Sequence, residues 1–201
     1  MLHRAWFAAS CAAMLSFTHV CLAEGPTKPA DNPPQGCLAA GDGYLRARVR
    51  GALELDLNWK NAEMQCEGGP RPPGKDNKRN GLRVSIGGPL RDGTHRIRVV
   101  FGIAGVGEGD GGNVLRTNVT VLFEGENRVF ATQGDDKCTV DSLAQERVEN
   151  LGPGTAVYRV VARGFCIGPA TSLSRDERMV LTSFDFAGRV EFSDDDRHAS
   201  N

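Results

Sequence analysis

The stretch YLRARVRGALELDLNWK, residues 44 to 60, changes polarity at almost every step. Leu45, Ala47, Val49, Leu53, Leu55, Leu57 and Trp59 share one parity. Arg46, Arg48, Arg50, Glu54, Asp56, Asn58 and Lys60 share the other. A period of two is the repeat of a strand with one buried face, and no helix gathers such a pattern onto one side. Gly51 interrupts the apolar parity, and the polar face turns from basic to acidic at the same residue. Glycine inside a strand pattern marks a bend or bulge, so a kink is predicted there.

The same period returns along the chain. Leu82, Val84 and Ile86 form one run; Ile97, Val99, Phe101 and Ile103 form another, with Arg96 and Arg98 on the reverse side. Val119, Val121 and Phe123 follow, then Val129 and Ala131 after the turn EGEN. Val157, Val161 and Phe165 share a parity with Arg159 and Arg163, while Tyr158, Val160 and Ala162 fill the other. In the last run Val180, Phe184, Phe186, Val190 and Phe192 alternate with Ser183, Asp185, Arg189 and Glu191, and Gly188 lies on the apolar parity. Such runs, separated by turn residues, predict an all-β antiparallel domain over residues 44–192. A sandwich of seven or eight strands is the expected form, with an open or closed barrel as the alternative. SLAQERVEN (142–150) is the one helical candidate, with capping-box spacing between Ser142 and Gln145. Residues 66–80, CEGGPRPPGKDNKRN, read as an exposed loop, and 193–201 as a disordered acidic tail.

The first 23 residues have the layout of a secretory signal peptide: Arg4, an apolar run from Ala5 to Phe17, and small residues before a cut after Ala23. Val20 before Cys21 is a poor context for lipidation. No segment reaches the ~20 apolar residues of a membrane-spanning helix. Residues 24–43, rich in proline and glycine, read as a flexible lead-in. Without Arg4 the chain carries 23 basic and 25 acidic residues, and this near-neutrality argues against a nucleic-acid or membrane-surface binder. Arginine carries most of the basic charge, and glycine and alanine are plentiful, which points to a bacterial source and hence to the periplasm as destination.

Four cysteines remain after the leader: Cys37, Cys66, Cys138 and Cys166. An even number in an oxidising compartment reads as two disulfides, and their wide spacing does not suit zinc. Three pairings are open. Pairing Cys37 with Cys66 and Cys138 with Cys166 closes two loops of similar length, each contributing roughly 3–4 kcal/mol in the chain-entropy model. A straight strand over 45–59 would span about 48 Å. Pairing Cys37 with Cys66 therefore requires the chain to turn sharply near Gly51.

Motifs with chemistry are few. His95 is the single histidine of the mature chain outside the tail, and no G-x-S-x-G elbow accompanies it. Asp135 and Asp136 stand together in GDDKC, but adjacent residues of an extended loop point apart, and turn chemistry accounts for them. Gly107, Gly109 and Gly112 match G-x-G-x-x-G, yet a strand pattern follows where a phosphate site needs a helix. Glu108 and Asp110 offer oxygen ligands with neither of the usual calcium spacings. No metal or cofactor motif emerges. Arg46, Arg48 and Arg50 are the anion-binding candidates, their side chains ~7 Å apart along one strand face. Arg83, Arg96, Arg98, Arg159 and Arg163 extend that face if their strands are neighbours; the opposing reading pairs these arginines with Glu54, Asp56, Asp185 and Glu191. The expectation is a non-enzymatic binding or structural domain of the bacterial envelope, with an anionic envelope polymer or another envelope protein as partner. The alternative is a periplasmic hydrolase using carboxylates near Asp135 and Asp136.

Overall fold

A computed structural model describes residues 36–72, 80–150 and 154–198. The expected signal peptide and most of the lead-in lie outside the described residues, as do 73–79 of the basic loop. The described chain is nearly all strand: β1 (Tyr44–Gly51), β2 (Leu55–Lys60), a 3-10 turn (Asn61–Glu63), β3 (Gln65–Pro70), β4 (Gly81–Pro89), β5 (Arg96–Ala104) and β6 (Leu115–Phe123). Then come β7 (Val129–Ala131), β8 (Cys138–Asn150), β9 (Thr155–Cys166), β10 (Ala170–Ser172), β11 (Arg178–Ser193) and the single helix α1 (Asp194–His198).

All pairings are antiparallel, in the order β2-β1-β11-β10-β7-β6-β5-β4-β3, with β8 joining β6 to β9 and β9 joining β11. The ladder therefore branches twice. β11 has three hydrogen-bonded neighbours along its length, β1, β9 and β10, and β6 has β5, β7 and β8. The inward parity of these strands forms one core, in which the Phe101 ring of β5 packs 4.8 Å from Phe184 and 4.7 Å from Phe186 of β11. Phe101, Phe186, Leu45, Ile86 and Leu181 are fully buried within it.

Gly51 is where the chain reverses, which is more than a kink. Leu45 pairs with Trp59, Ala47 with Leu57 and Arg48 with Asp56, so residues 44–60 form a hairpin. Gly51 supplies a φ of 113°, a region that side-chain-bearing residues avoid. The reversal brings Cys37 within reach of Cys66, and the disulfides are Cys37–Cys66 and Cys138–Cys166.

Four expectations are corrected. Residues 65–70 form β3, paired to β4 from Gln65↔Gly87 to Pro70↔Leu82. Glycines disguised it: a side chain at Gly68 would lie 2.6 Å from the Arg189 carbonyl oxygen, so β3 passes β11 where only glycine fits. Residues 142–150 are strand, since β8 pairs with β9 from Cys138↔Cys166 to Asn150↔Ala156 and buries Leu143. Ladder and burial outweigh a weak helix signal. The lead-in is already fixed by residue 37: Cys37 and Leu38 are buried, and the Asn61 side chain accepts from the Leu38 and Gly43 N–H groups. The tail begins as α1, with the Ser193 hydroxyl donating to the Asp196 carboxylate at 2.7 Å.

Candidate functional site

The outward parity of β1 and β2 continues over β11, β9 and β8. In one cross-strand row Asn58 stands opposite Arg46, Arg46 opposite Asp185, Asp185 opposite Arg163, and Arg163 opposite Ser142. In the next, Asp56 faces Arg48 and Arg48 faces Ser183. Ser183 and Phe165 come immediately beyond the Phe184↔Gly164 pair, and Phe165 is opposite Thr139, itself opposite Arg116. Strands about 4.8 Å apart make these rows contiguous.

The three arginines first singled out have separate environments. The Arg50 guanidinium is committed to the hairpin: it donates to Asp56 Oδ1 at 2.8 Å and to the Val49 carbonyl at 2.8 Å, and lies 3.5 Å from Glu54. That hydrogen bond, outweighing a small desolvation cost, holds the Asp56 carboxyl below its ordinary range. Arg50 is thus a turn staple, and it drops out of the anion-binding set. Arg46 lies over the Tyr44 ring at 5.0 Å and reaches Asp185 only at 3.9 Å. Burial and the hydrogen bond to Asp185 raise the Tyr44 hydroxyl pKa, so this phenol stays protonated. Arg48, Arg116 and Arg163 are exposed and have no ion pair within 4.0 Å among the described residues.

Four other strand arginines singled out by sequence are paired with acids. Arg83 binds Glu67 at 3.1 Å, Arg96 and Arg98 share Glu124 at 3.1 and 2.9 Å, and Arg159 binds Asp42 at 2.6 Å. The open basic face is therefore Arg46, Arg48, Arg163 and Arg116 around the half-exposed Phe165, with hydroxyls from Ser183, Thr139 and Ser142 between them. A shallow groove of ≈ 460 Å³ lies among Arg46, Arg48, Asn58, Ser183 and Asp185. Arg116 and the role of Phe165 escaped the sequence reading. The available signal was the mixed parity of β9, where Phe165 shares the face of Arg163.

Asp135 and Asp136 part company. Arg71 grips both Asp135 oxygens at 3.0 Å, and the Asn118 amide donates to one of them at 2.6 Å. Burial alone pushes this carboxyl upward; the bonds from Arg71 and Asn118 and the fields of Arg71 and Arg116 outweigh it and keep it ionised. Asp136 is exposed and paired with Lys137 at 3.0 Å. Asp135 is a clamp between the end of β3 and β6. His95 sits in the β4–β5 turn, its Nδ1 2.6 Å from Asp92 and its Nε2 3.8 Å from Glu126. The Thr94 hydroxyl lies by that same Nδ1, at 3.0 Å, so this side of the ring is taken up by the turn. In the glycine-rich loop Asp110 accepts the Gly107 N–H, and Gln145 donates to the Gly107 and Asp110 carbonyls.

Compared with known proteins, the sequence matches no family model, no curated protein and no solved structure, so what this face does must be argued from its own chemistry.

Proposed function

We propose that the protein is a non-enzymatic binding domain of the bacterial envelope that holds an anionic polymer against the outer face of β1, β11, β9 and β8. The observation that carries this is the register: it sets Arg48, Arg116 and Arg163, none in an ion pair within 4.0 Å among the described residues, around one exposed ring. Guanidinium groups present fixed donor pairs to phosphate, sulfate or carboxylate. Phe165 offers a flat apolar surface to a sugar ring, and the hydroxyls complete a glycan-like contact. The exported location rests on the leader-like sequence and is supported by the two disulfides.

The test is retention on immobilised heparin and on lipopolysaccharide. Retention falls with added salt, and Arg48→Ala or Arg163→Ala each weakens it several-fold, because exposed charges act within about a Debye length. Retention unaffected by salt and by both substitutions overturns the reading.

A further inference from the structure

We propose a second binding site on the opposite side of the hairpin: the free edge of β2 takes up an extended basic peptide segment of a partner protein as an added strand. Three observations converge. β2 ends the ladder, pairing with β1 alone among the described residues. Its outer edge borders a groove of ≈ 760 Å³, walled on the other side by the β4–β5 turn. That groove has an apolar floor from Leu57, Trp59, Pro89 and Leu90, with the carboxylates of Glu54, Asp56, Glu63 and Asp92 and one cation, Arg91, among its lining residues.

The main chain of β2 is phased for strand addition. The Lys60 N–H donates to Glu63 Oε2 at 2.7 Å rather than to β1. Alternation of an antiparallel ladder then turns the N–H and C=O groups of Asn58 and Asp56 toward the same free side. A strand laid there sets alternate side chains on the Leu57–Leu90 floor and the intervening ones near the carboxylates. Glu54 and Asp56 share Arg50, and Asp92 holds His95. The four carboxylates still exceed the three permanent cations beside them, Arg50, Arg91 and Lys60 at the end of β2, so the complement is a segment alternating basic and apolar residues. A second copy of this chain would instead bring Glu54 and Glu63 carboxylates against the same acidic wall.

The experiment titrates the full chain with an acetylated, amidated peptide alternating lysine and leucine. Parallel titrations use a glutamate–leucine analogue and a version N-methylated at alternate residues. The lysine peptide binds; methylation, which removes edge-facing donors without touching the protein, weakens it at least tenfold; the glutamate analogue does not bind. Glu54→Gln with Glu63→Gln weakens the lysine peptide several-fold. Arg163 faces none of the groove's carboxylates, so Arg163→Ala leaves it unchanged, and this separates the site from the arginine face. Equal binding of the methylated or glutamate peptides overturns the proposal. So does a dimer seen by sedimentation that Asn58→Pro dissolves while the monomer keeps its melting temperature, because the edge then belongs to a second copy.

Discussion

The main chain of Gly88 lies against the face of the Trp59 indole. A methyl group at Gly88 would stand 2.5 Å from ring atom Cδ2, 2.6 Å from Cε2 and 2.7 Å from Cε3. The indole N–H donates to the adjacent Pro89 carbonyl at 2.8 Å. One aromatic ring thereby ties the β1–β2 hairpin to the end of β4, although the two share no ladder. Gly88→Ala is expected to destabilise the protein by about 1–3 kcal/mol through overpacking. The urea midpoint should fall, and Trp59 fluorescence should shift toward that of a more exposed indole. An unchanged midpoint would show that the ring has room to move.

Gly68 carries a similar constraint with a harder neighbour. Its added methyl would meet two main-chain oxygens, Arg189 at 2.6 Å and Arg83 at 2.8 Å, and neither can rotate away. Gly68→Ala should cost more than the typical ~1 kcal/mol of a point substitution. Gly69→Ala, 3.3 Å from the Glu191 oxygen, should cost less. Equal losses in a denaturant series would refute the close passage of β3 across β11.

The turn at His95 gives a pH signature. Hydrogen bonding to Asp92 and the fields of Asp92 and Glu126 raise the imidazole above its ordinary 6.5. Bonds from His95 and Thr94 hold the Asp92 carboxyl down at about 2. The raised imidazole contributes most below pH 6.5, and its share is lost as pH climbs through the folded-state value. The Asp92 share is present above 3.8 and is lost as pH falls toward 2. Proton NMR should place the His95 midpoint above 6.5, and Asp92→Asn should return it toward that value.

Loss of the clamp at Asp135 is expected to matter for stability. Asp135→Ala strands the mostly buried Arg71 guanidinium, at a cost of about 1–3 kcal/mol. Asp136→Ala, on the exposed neighbour, should stay within about 0.5 kcal/mol. Because the Asp135 pKa is depressed, its contribution holds above pH 3.8 and fades as pH drops through the folded-state value. Acid titration of wild type and Asp135→Asn should diverge above that value and converge below it.

Period-two patterning located β1, β2, β5, β9 and β11 because their burial alternates, as in Leu45, Ala47 and Val49 of β1. It misled where residues served a contact elsewhere. Gly68 and Gly69 resemble loop, yet both pass against the backbone of β11. Ser142 to Asn150 resembles a short helix until β9 is present to pair with it. Sequence also identified arginines on strands without revealing their neighbours. Arg50 and Arg48 are chemically identical in a pattern, yet the hairpin ties Arg50 into ion pairs and sets Arg48 opposite Asp56 without one. The switch from basic to acidic at Gly51 is cross-strand complementarity folded out flat: Arg48 faces Asp56, and Arg50 binds both Glu54 and Asp56.

The position of β11 governs when this domain can form. Tyr44 hydrogen-bonds Asp185 across 141 residues of sequence, and β11 also completes the edges of β9 and β10. A nascent chain lacking its last strand keeps the β1–β2 hairpin and the ladder that runs from β3 through β6 to β8 and β9, but lacks the strand that joins the two. High-separation pairing of this kind forms slowly. The consequence is an order of assembly: the amino-terminal hairpin can dock only after residues 178–193 have been made.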